Sequence, residues 1–273
     1  MEKPFFSIII PTLNEEDYIG RLLTDLKKLK SDSFEVIMVD GQSTDKTVEI
    51  ARTFAQYIRL QIVMSSVKNV SSQRNEGARI AQGEYLVFFD ADIQVPANYC
   101  RELKDKLTKN FPAYATTYLL PDSDEVYDEM IAHVYNLCIE LSLLIERPFV
   151  PGFNFIVRKK IFDAVGGFVV NIVHGEDFDL SFRIFREGFR LTILKKPKLI
   201  FSLRRYRAEG RLAVVRKNAK ATLHIFMKGP ITKNIFAYPM GGGWYKDYKS
   251  KNERRVLAKV ERFVKRLVEG FLE

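Results

Sequence analysis

Tyr85-Leu-Val-Phe-Phe89 is an unbroken apolar run of strand length, and it stops abruptly at two carboxylates, Asp90 and Asp92. A run of that kind has no polar face to give to water, so it belongs in a strand covered on both sides, as in a parallel sheet. If the chain stays extended through Ala91, residues two apart project to one side. Asp90, Asp92 and Gln94 then stand together just past the carboxyl end of the strand, where ligands of open α/β sheets bind. Oxygen donors at that place suit a hard divalent cation, Mg2+ or Mn2+. The Asp-x-Asp spacing recurs at Asp122/Asp124 and Asp177/Asp179. Position after a buried strand, rather than the spacing, singles out the first pair.

The preceding chain repeats the same grammar. Phe5–Pro11, Phe34–Val39 and Ile58–Val63 read as strands, with helical spacing between them in Leu22, Leu23, Leu26 and Leu29 and again over Ser71–Ala81. Ser43 or Thr44 is the expected N-cap of the helix through Ala51. Strand and helix alternate, which predicts a parallel sheet with right-handed crossovers. Three strand-end loops, Thr12–Glu15, Asp40–Asp45 and Asp90–Gln94, converge on one edge, a nucleotide site by location. Neither a Gly-x-Gly-x-x-Gly after the first strand nor a Gly-x-x-x-x-Gly-Lys occurs, which argues against dinucleotide oxidoreductases and P-loop enzymes.

Further on, Ala97–Lys109 is amphipathic, Ala113–Tyr118 reads as a strand and Val126–Ile145 as a long helix. The broad apolar stripe of that helix (Met130, Ile131, Val134, Leu137, Leu141, Leu144) reads as core-facing, or as the border of an apolar acceptor groove. Pro151–Arg158 is a turn and strand, and Lys160–Val165 a helix ended by Gly166-Gly167. Glu176 and Asp177 then open another helix. Acids there serve as dipole partners, but an aspartate in a partly closed site also serves as a general base toward a sugar hydroxyl.

The chain of 273 residues is long enough for one large domain or a domain with an appendage. Its two cysteines, Cys100 and Cys138, show no metal or disulfide spacing, which points to a reducing compartment. With no signal-peptide pattern and no apolar run near the ~18–20 residues of a bilayer span, the expected location is cytoplasmic, soluble or peripheral on the cytoplasmic face of a membrane. The formal charge of +9 is uneven. The first 182 residues carry 19 Lys/Arg against 27 Asp/Glu, and residues 183–273 carry 24 against 7. A basic final third either is a solvated surface or faces phosphates, an anionic membrane or nucleic acid. The nucleic-acid reading leaves the three convergent acidic loops unexplained, so no nucleic-acid partner is expected.

Taken together and in order, Ile9-Ile-Pro-Thr-Leu-Asn-Glu15, Val39-Asp-Gly-Gln-Ser-Thr-Asp45, Gln73-Arg-Asn-Glu-Gly-Ala78, Gly83–Asp92, Gly166-Gly-Phe168 and Gly175–Arg183 resemble the family-two glycosyltransferases over roughly Phe5–Leu194. The resemblance implies an α/β GT-A fold, a mostly parallel sheet flanked by helices, and an inverting, metal-dependent enzyme with a nucleotide-sugar donor, UDP- or GDP-linked. It implies that Pro11, Thr12 and Glu15 line the nucleoside pocket, that Asp40 bonds the base and that Arg74 contacts base or phosphate. Asp90 is implied beside ribose and donor sugar, Asp92 as the principal ligand of Mn2+ or Mg2+ with Asp90 and Gln94 beside it, and Asp177, paired with Glu176, as the base.

That base favours a hydroxyl of a saccharide, lipid-linked, as acceptor; a polyprenyl-phosphate sugar synthase, whose acceptor phosphate is already anionic, is the alternative. Residues 1–200 are expected to form the catalytic domain and 201–273 a basic, mainly helical extension. In the latter Gly210–Met227 reads as a helix. Asn252–Leu272 is an amphipathic segment suited to packing on the domain or to anionic lipid. Arg204, Arg205 and Arg207 are placed to reach a donor diphosphate or a lipid-linked pyrophosphate.

Overall fold

Every residue of the first two strands is buried, and their side chains alternate between two cores. Ile8, Ile10, Val36 and Met38 enter one, Ile9, Ile37 and Val39 the other. The computed structural model describes residues 3–29, 33–233 and 241–242. Among these residues seven strands form one sheet. They are β1 (Phe6–Thr12), β2 (Phe34–Asp40), β3 (Leu60–Met64), β4 (Tyr85–Phe88), β5 (Tyr114–Pro121), β6 (Phe155–Arg158) and β7 (Leu191–Phe201), in the order β3-β2-β1-β4-β6-β5-β7. The helices are α1 (Ile19–Lys28), α2 (Thr47–Arg52), α3 (Val70–Ile80), α4 (Tyr99–Asn110), α5 (Val126–Leu144), α6 (Lys159–Ala164), α7 (Glu176–Arg186), α8 (Arg204–Glu209) and α9 (Arg211–Lys228).

One core lies beneath α1 and α4, where Leu22, Leu26, Leu103 and Leu107 meet Tyr85 and Val87. The other lies beneath α3, α6 and α7. At its centre Phe88 sits among Phe155, Phe162 and Phe168, with ring centroids 6.5, 5.5 and 5.2 Å away. Truncating such a ring costs about 3–5 kcal/mol. Because β1, β2 and β4 run parallel, their carboxyl ends share one edge, and the loops after them meet there.

The sheet is mixed rather than wholly parallel. β6 runs antiparallel to both β4 and β5, while β5 and β7 are parallel. The N-cap expected at Ser43 or Thr44 is also displaced. α2 starts at Thr47, and the Asp45 carboxylate accepts from the Thr47 N–H at 3.0 Å. α5 faces the core along a narrow strip only, where Ala132 enters it and Ile131 and Tyr135 pack against it. Ala132 and Ile139 are buried, whereas Met130, Val134, Leu137, Leu141 and Leu144 are exposed. Small residues and polar hooks hold it to the sheet instead: Asn136 exchanges amide hydrogen bonds with both backbone groups of Leu119, and the Tyr118 hydroxyl donates to Glu140. Asn252–Leu272 lies outside the described residues.

Candidate active site

The loops after β1 and β2 are laced into one wall. Asn14, in the left-handed region at φ 53°, donates its N–H to Ser43 Oγ (2.8 Å) and accepts from the Thr44 N–H (2.8 Å). The Glu15 N–H donates to Thr47 Oγ1 (2.7 Å) and the Glu16 N–H to Asp45 (3.1 Å). Asp40, which the resemblance assigns to the base, has no exposed surface. Its carboxylate accepts from the Ser43 N–H, the Ser43 hydroxyl and the Thr12 hydroxyl, at 2.8, 2.6 and 3.0 Å, and so shapes the loop from within. Behind this wall the buried Gln73 amide donates to both Thr12 O and Val39 O. Pro11 and Thr12 are buried beside it.

At the end of β4 the chain turns. The Ile93 N–H donates to Asp90 O across Ala91-Asp92 (3.3 Å), so the extended spacing that would align Asp90, Asp92 and Gln94 is broken. Gln94 exchanges backbone hydrogen bonds with Ile200 and lines a separate cavity with Asp25, Lys28 and Val95. Asp92 faces Arg204 instead. Arg204 Nε lies 2.7 Å from Asp92 Oδ2, and Nη1 and Nη2 lie 2.7 and 2.9 Å from the two Glu15 oxygens. The guanidinium also rests over the Tyr18 ring at 4.3 Å. Burial pushes Glu15 up to about 7 despite its pairing with Arg204, and Asp92 and Asp90 add to the rise. Burial likewise raises Asp92, with Arg204 opposing it.

A second guanidinium joins this side to the start of α7. Arg74 is 3% exposed, with Nη2 3.0 Å from Asp90 and Nη1 2.9 Å from Glu176. Burial works against its charge, but Asp90, Glu176 and Asp177 outweigh that and raise its affinity for the proton. A Cβ at Gly152 would lie 2.8 Å from Arg74 Nη1, so the glycine leaves the guanidinium room to sit where it does. The Gly152 N–H donates to Asp177 Oδ2 and the Phe178 N–H to Oδ1, each at 2.8 Å. Asp177 is pushed up to about 7, first by burial and then by the adjacent Glu176 carboxylate, with Arg74 and the two N–H groups pulling the other way. His174, just before the helix, is lowered by burial. Asp179, which shares the Asp-x-Asp spacing, is committed to Arg183 at 2.8 Å.

The structure therefore gathers the carboxylates of Glu15, Asp90, Asp92, Glu176 and Asp177 around two arginines, Arg74 and Arg204. It encloses Asp40 in its own loop and sets Gln94 apart. The sequence reading assigned Arg74 to base or phosphate, whereas both its Nη atoms bind carboxylates. It sent Arg204 and Arg207 toward phosphates. Arg204 binds Glu15 and Asp92, and Arg207 binds Asp122 and Asp128. It gave no role to Gln73 or to Asn75, whose amide exchanges hydrogen bonds with the backbone of Phe168 (2.8 and 2.9 Å).

Residues 7–166 match the sequence model of Glycosyl transferase family 2. The chain belongs to this family. It is 28% identical over 199 residues to a PGL/p-HBAD biosynthesis glycosyltransferase of Mycobacterium bovis, covering 70% of this chain and 74% of that one. It is 25% identical over 205 residues to a dolichyl N-acetyl-alpha-D-glucosaminyl phosphate 3-beta-D-2,3-diacetamido-2,3-dideoxy-beta-D-glucuronosyltransferase of Methanococcus voltae, covering 68% and 63%. Its fold is similar to that of the mannosyltransferase PcManGT of Pyrobaculum calidifontis, solved with GDP-Man and Mn2+, at a TM-score of 0.61 and 20% identity over 82% of this chain and 65% of that one. The chain spans just under two thirds of the last two proteins. The fold of this transferase is GT-A, and its activity is glycosyl transfer.

In this glycosyltransferase the two carboxylates at the end of β4 are each paired with an arginine, Asp92 with Arg204 and Asp90 with Arg74. Among the described residues no group of three His, Cys, Asp or Glu side chains encloses a cation. A Mg2+-type ion bound to a nucleotide takes only one or two protein carboxylates, the rest of its shell coming from phosphates and water. Asp92, with Asp90 two residues away, supplies hard oxygens at the right edge of the sheet.

Proposed function

We propose that this transferase moves a sugar from a UDP- or GDP-sugar to a hydroxyl of a lipid-linked saccharide, with inversion, at the surface of a membrane. The observation that carries the reading is Asp177, a partly buried carboxyl fixed by two backbone N–H groups and held near neutrality in its proton affinity. A base so poised takes the proton of an acceptor hydroxyl as its oxygen attacks the anomeric carbon, while the nucleoside diphosphate leaves from the opposite face. Glu176 raises the basicity of Asp177, and Arg74 holds Glu176 and Asp90 in one frame, so acceptor and donor sides keep a fixed separation.

Pro11, Thr12 and Glu15 form the wall beside the nucleoside, and Asp92 with Asp90 would hold Mn2+ or Mg2+. Bound there, the cation neutralises the charge of the departing diphosphate. The acceptor class is supported by the name of the methanococcal relative, whose substrate is a dolichyl-phosphate-linked sugar.

The competing reading, transfer to a polyprenyl phosphate, needs no base and leaves Asp177 without a task. The deciding experiment offers the enzyme labelled UDP- and GDP-sugars with Mn2+ and two acceptors, a lipid-linked saccharide and a polyprenyl phosphate. Transfer to the saccharide that Asp177→Asn abolishes, with donor binding intact by calorimetry, is the expected result. Transfer to the lipid phosphate at equal rates in both proteins would establish the other reading.

A further inference from the structure

After α9 the chain returns to the site at two places. Ile231 forms an antiparallel bridge with His174, and its carbonyl accepts from the Val173 N–H at 2.8 Å, on the loop that leads into Glu176 and Asp177. Farther along, the Gly242 N–H donates to Leu13 O at 3.0 Å, on the loop after β1. The chain beyond α9 thus touches both of the loops that bring the donor-side and acceptor-side carboxylates together. α8 reaches the first loop as well, because Arg204 binds both oxygens of Glu15.

Only glycine fits at the Leu13 contact. Gly241 lies in the left-handed region at φ 86°, where a side chain is strained, and a Cβ on it would stand 2.6 Å from Leu13 O. A Cβ on Gly242 would run into Asn14 O and stand 2.5 Å from Glu15 Oε2. Leu13 O and Asn14 O are backbone atoms, so no change of rotamer relieves these clashes. Asn14 is itself tied to Ser43 and Thr44 of the neighbouring loop. Two glycines in succession let one backbone lie directly on another, and Glu15, its side chain only 8% exposed, is held between that backbone and the Arg204 guanidinium. Displacing either glycine moves Leu13–Glu15 and, through Asn14, the Asp40–Asp45 loop.

We infer that Gly241 and Gly242 are positioning residues of the donor site, holding the Leu13–Glu15 wall against which the nucleoside of the sugar donor rests. The inference rests on the nucleotide-sugar reading given above. It carries the donor site into chain beyond the family match, which ends at residue 166.

Calorimetry of the full chain with UDP- and GDP-sugars and Mn2+ tests it, beside the kinetics of transfer to the lipid-linked saccharide. Gly241→Ala and Gly242→Ala each raise the donor Kd and KM about tenfold or more. kcat at saturating donor changes less than about threefold, and the acid limb of the rate profile stays in place, because the neighbours of Asp177 are untouched. Gly188→Ala, at the same φ of 86° but with nothing within 4 Å of its Cβ position, leaves donor binding unchanged. Hydrogen exchange that stays slow across β1, β2 and β4 shows that the variants are folded, and in the wild type the donor slows exchange of the Gly242 amide. Donor affinity at the wild-type level in both variants overturns the positioning role and leaves the nucleotide-sugar reading standing. An equal loss of affinity in Gly188→Ala also overturns it, by tracing the effect to backbone strain at large. A wild type that binds neither nucleotide sugar overturns that reading and the inference with it.

Discussion

Arg204 Nε stands 2.7 Å from Asp92 Oδ2, so the principal carboxylate at the end of β4 is neutralised by a side chain from α8. The same guanidinium clasps Glu15 from the opposite wall, and both partners are largely buried. Arg204→Gln therefore leaves Glu15, Asp92 and Asp90 facing one another without that cation. Breaking a buried pair in this way costs about 3 kcal/mol, read as a lower midpoint in urea. Mn2+ should raise the melting temperature of Arg204→Gln more than that of the wild type, because the guanidinium no longer competes for Asp92. Equal Mn2+ shifts in the two proteins would place the cation elsewhere.

As the proposed base, Asp177 should set the pH dependence of transfer. Its carboxyl is pushed up to about 7 by burial and by Glu176, so on the acid side of that value it is protonated and cannot accept a proton from the acceptor. kcat/KM should rise about tenfold per pH unit in the acid limb and level off above neutrality. Asp177→Asn should lose about 10²–10⁴ in rate and abolish that limb while nucleotide-sugar binding persists. A wild-type profile flat from acid to neutral pH would remove Asp177 as the base.

A third carboxylate, Asp122, fixes the helix that carries Arg204. It binds Arg207 at 2.6 Å and accepts from the Leu203 N–H at 3.2 Å. Burial alone would raise its pKa, but the Arg207 and Leu203 hydrogen bonds hold it below the usual aspartate range. A carboxyl depressed in the folded state contributes stability above its unfolded value and loses it as pH falls through the folded one. Asp122→Ala should cost about 2 kcal/mol, discounted for the half-open Arg207. Wild type and variant should converge in stability on the acid side of the usual aspartate value. The variant should also bind donor more weakly, since α8 loses the anchor that aims Arg204.

How much of this was legible in the sequence follows from what each side chain meets. β1, β2 and β4 are covered on both faces, so their apolar runs announce them, and parallel pairing brings their loops to one edge. The direction of β6 was not legible, because a four-residue strand carries no mark of polarity and its neighbours decide it. β7 was hidden by Lys195-Lys196-Pro197-Lys198, which interrupts its apolar alternation. α5 announced itself as a helix, but a helix apolar nearly all round does not say which face is buried. The carboxylates of the site were legible from strand ends and from the start of α7. Their partners were not: Arg74 and Arg204 act inside the protein, where composition gives no warning of arginine.

Gly152 links the Arg74 bridge to Asp177, because it packs against the guanidinium while its own N–H holds the Asp177 carboxylate. Its backbone is not in the left-handed region, so alanine meets no conformational penalty there. Its Cβ, however, would lie 2.8 and 2.9 Å from Arg74 Nη1 and Nη2. Arg74 must shift away from Asp90 and Glu176, at an overpacking cost of about 1–3 kcal/mol. Arg74 is also one of the groups that lowers the Asp177 pKa. Gly152→Ala should therefore move the acid limb of the rate profile to higher pH and lower the plateau, as the acceptor-side base loses its register with the donor side. A variant with reduced stability but an unshifted limb would show that the Arg74 bridge only packs the interior and does not tune Asp177.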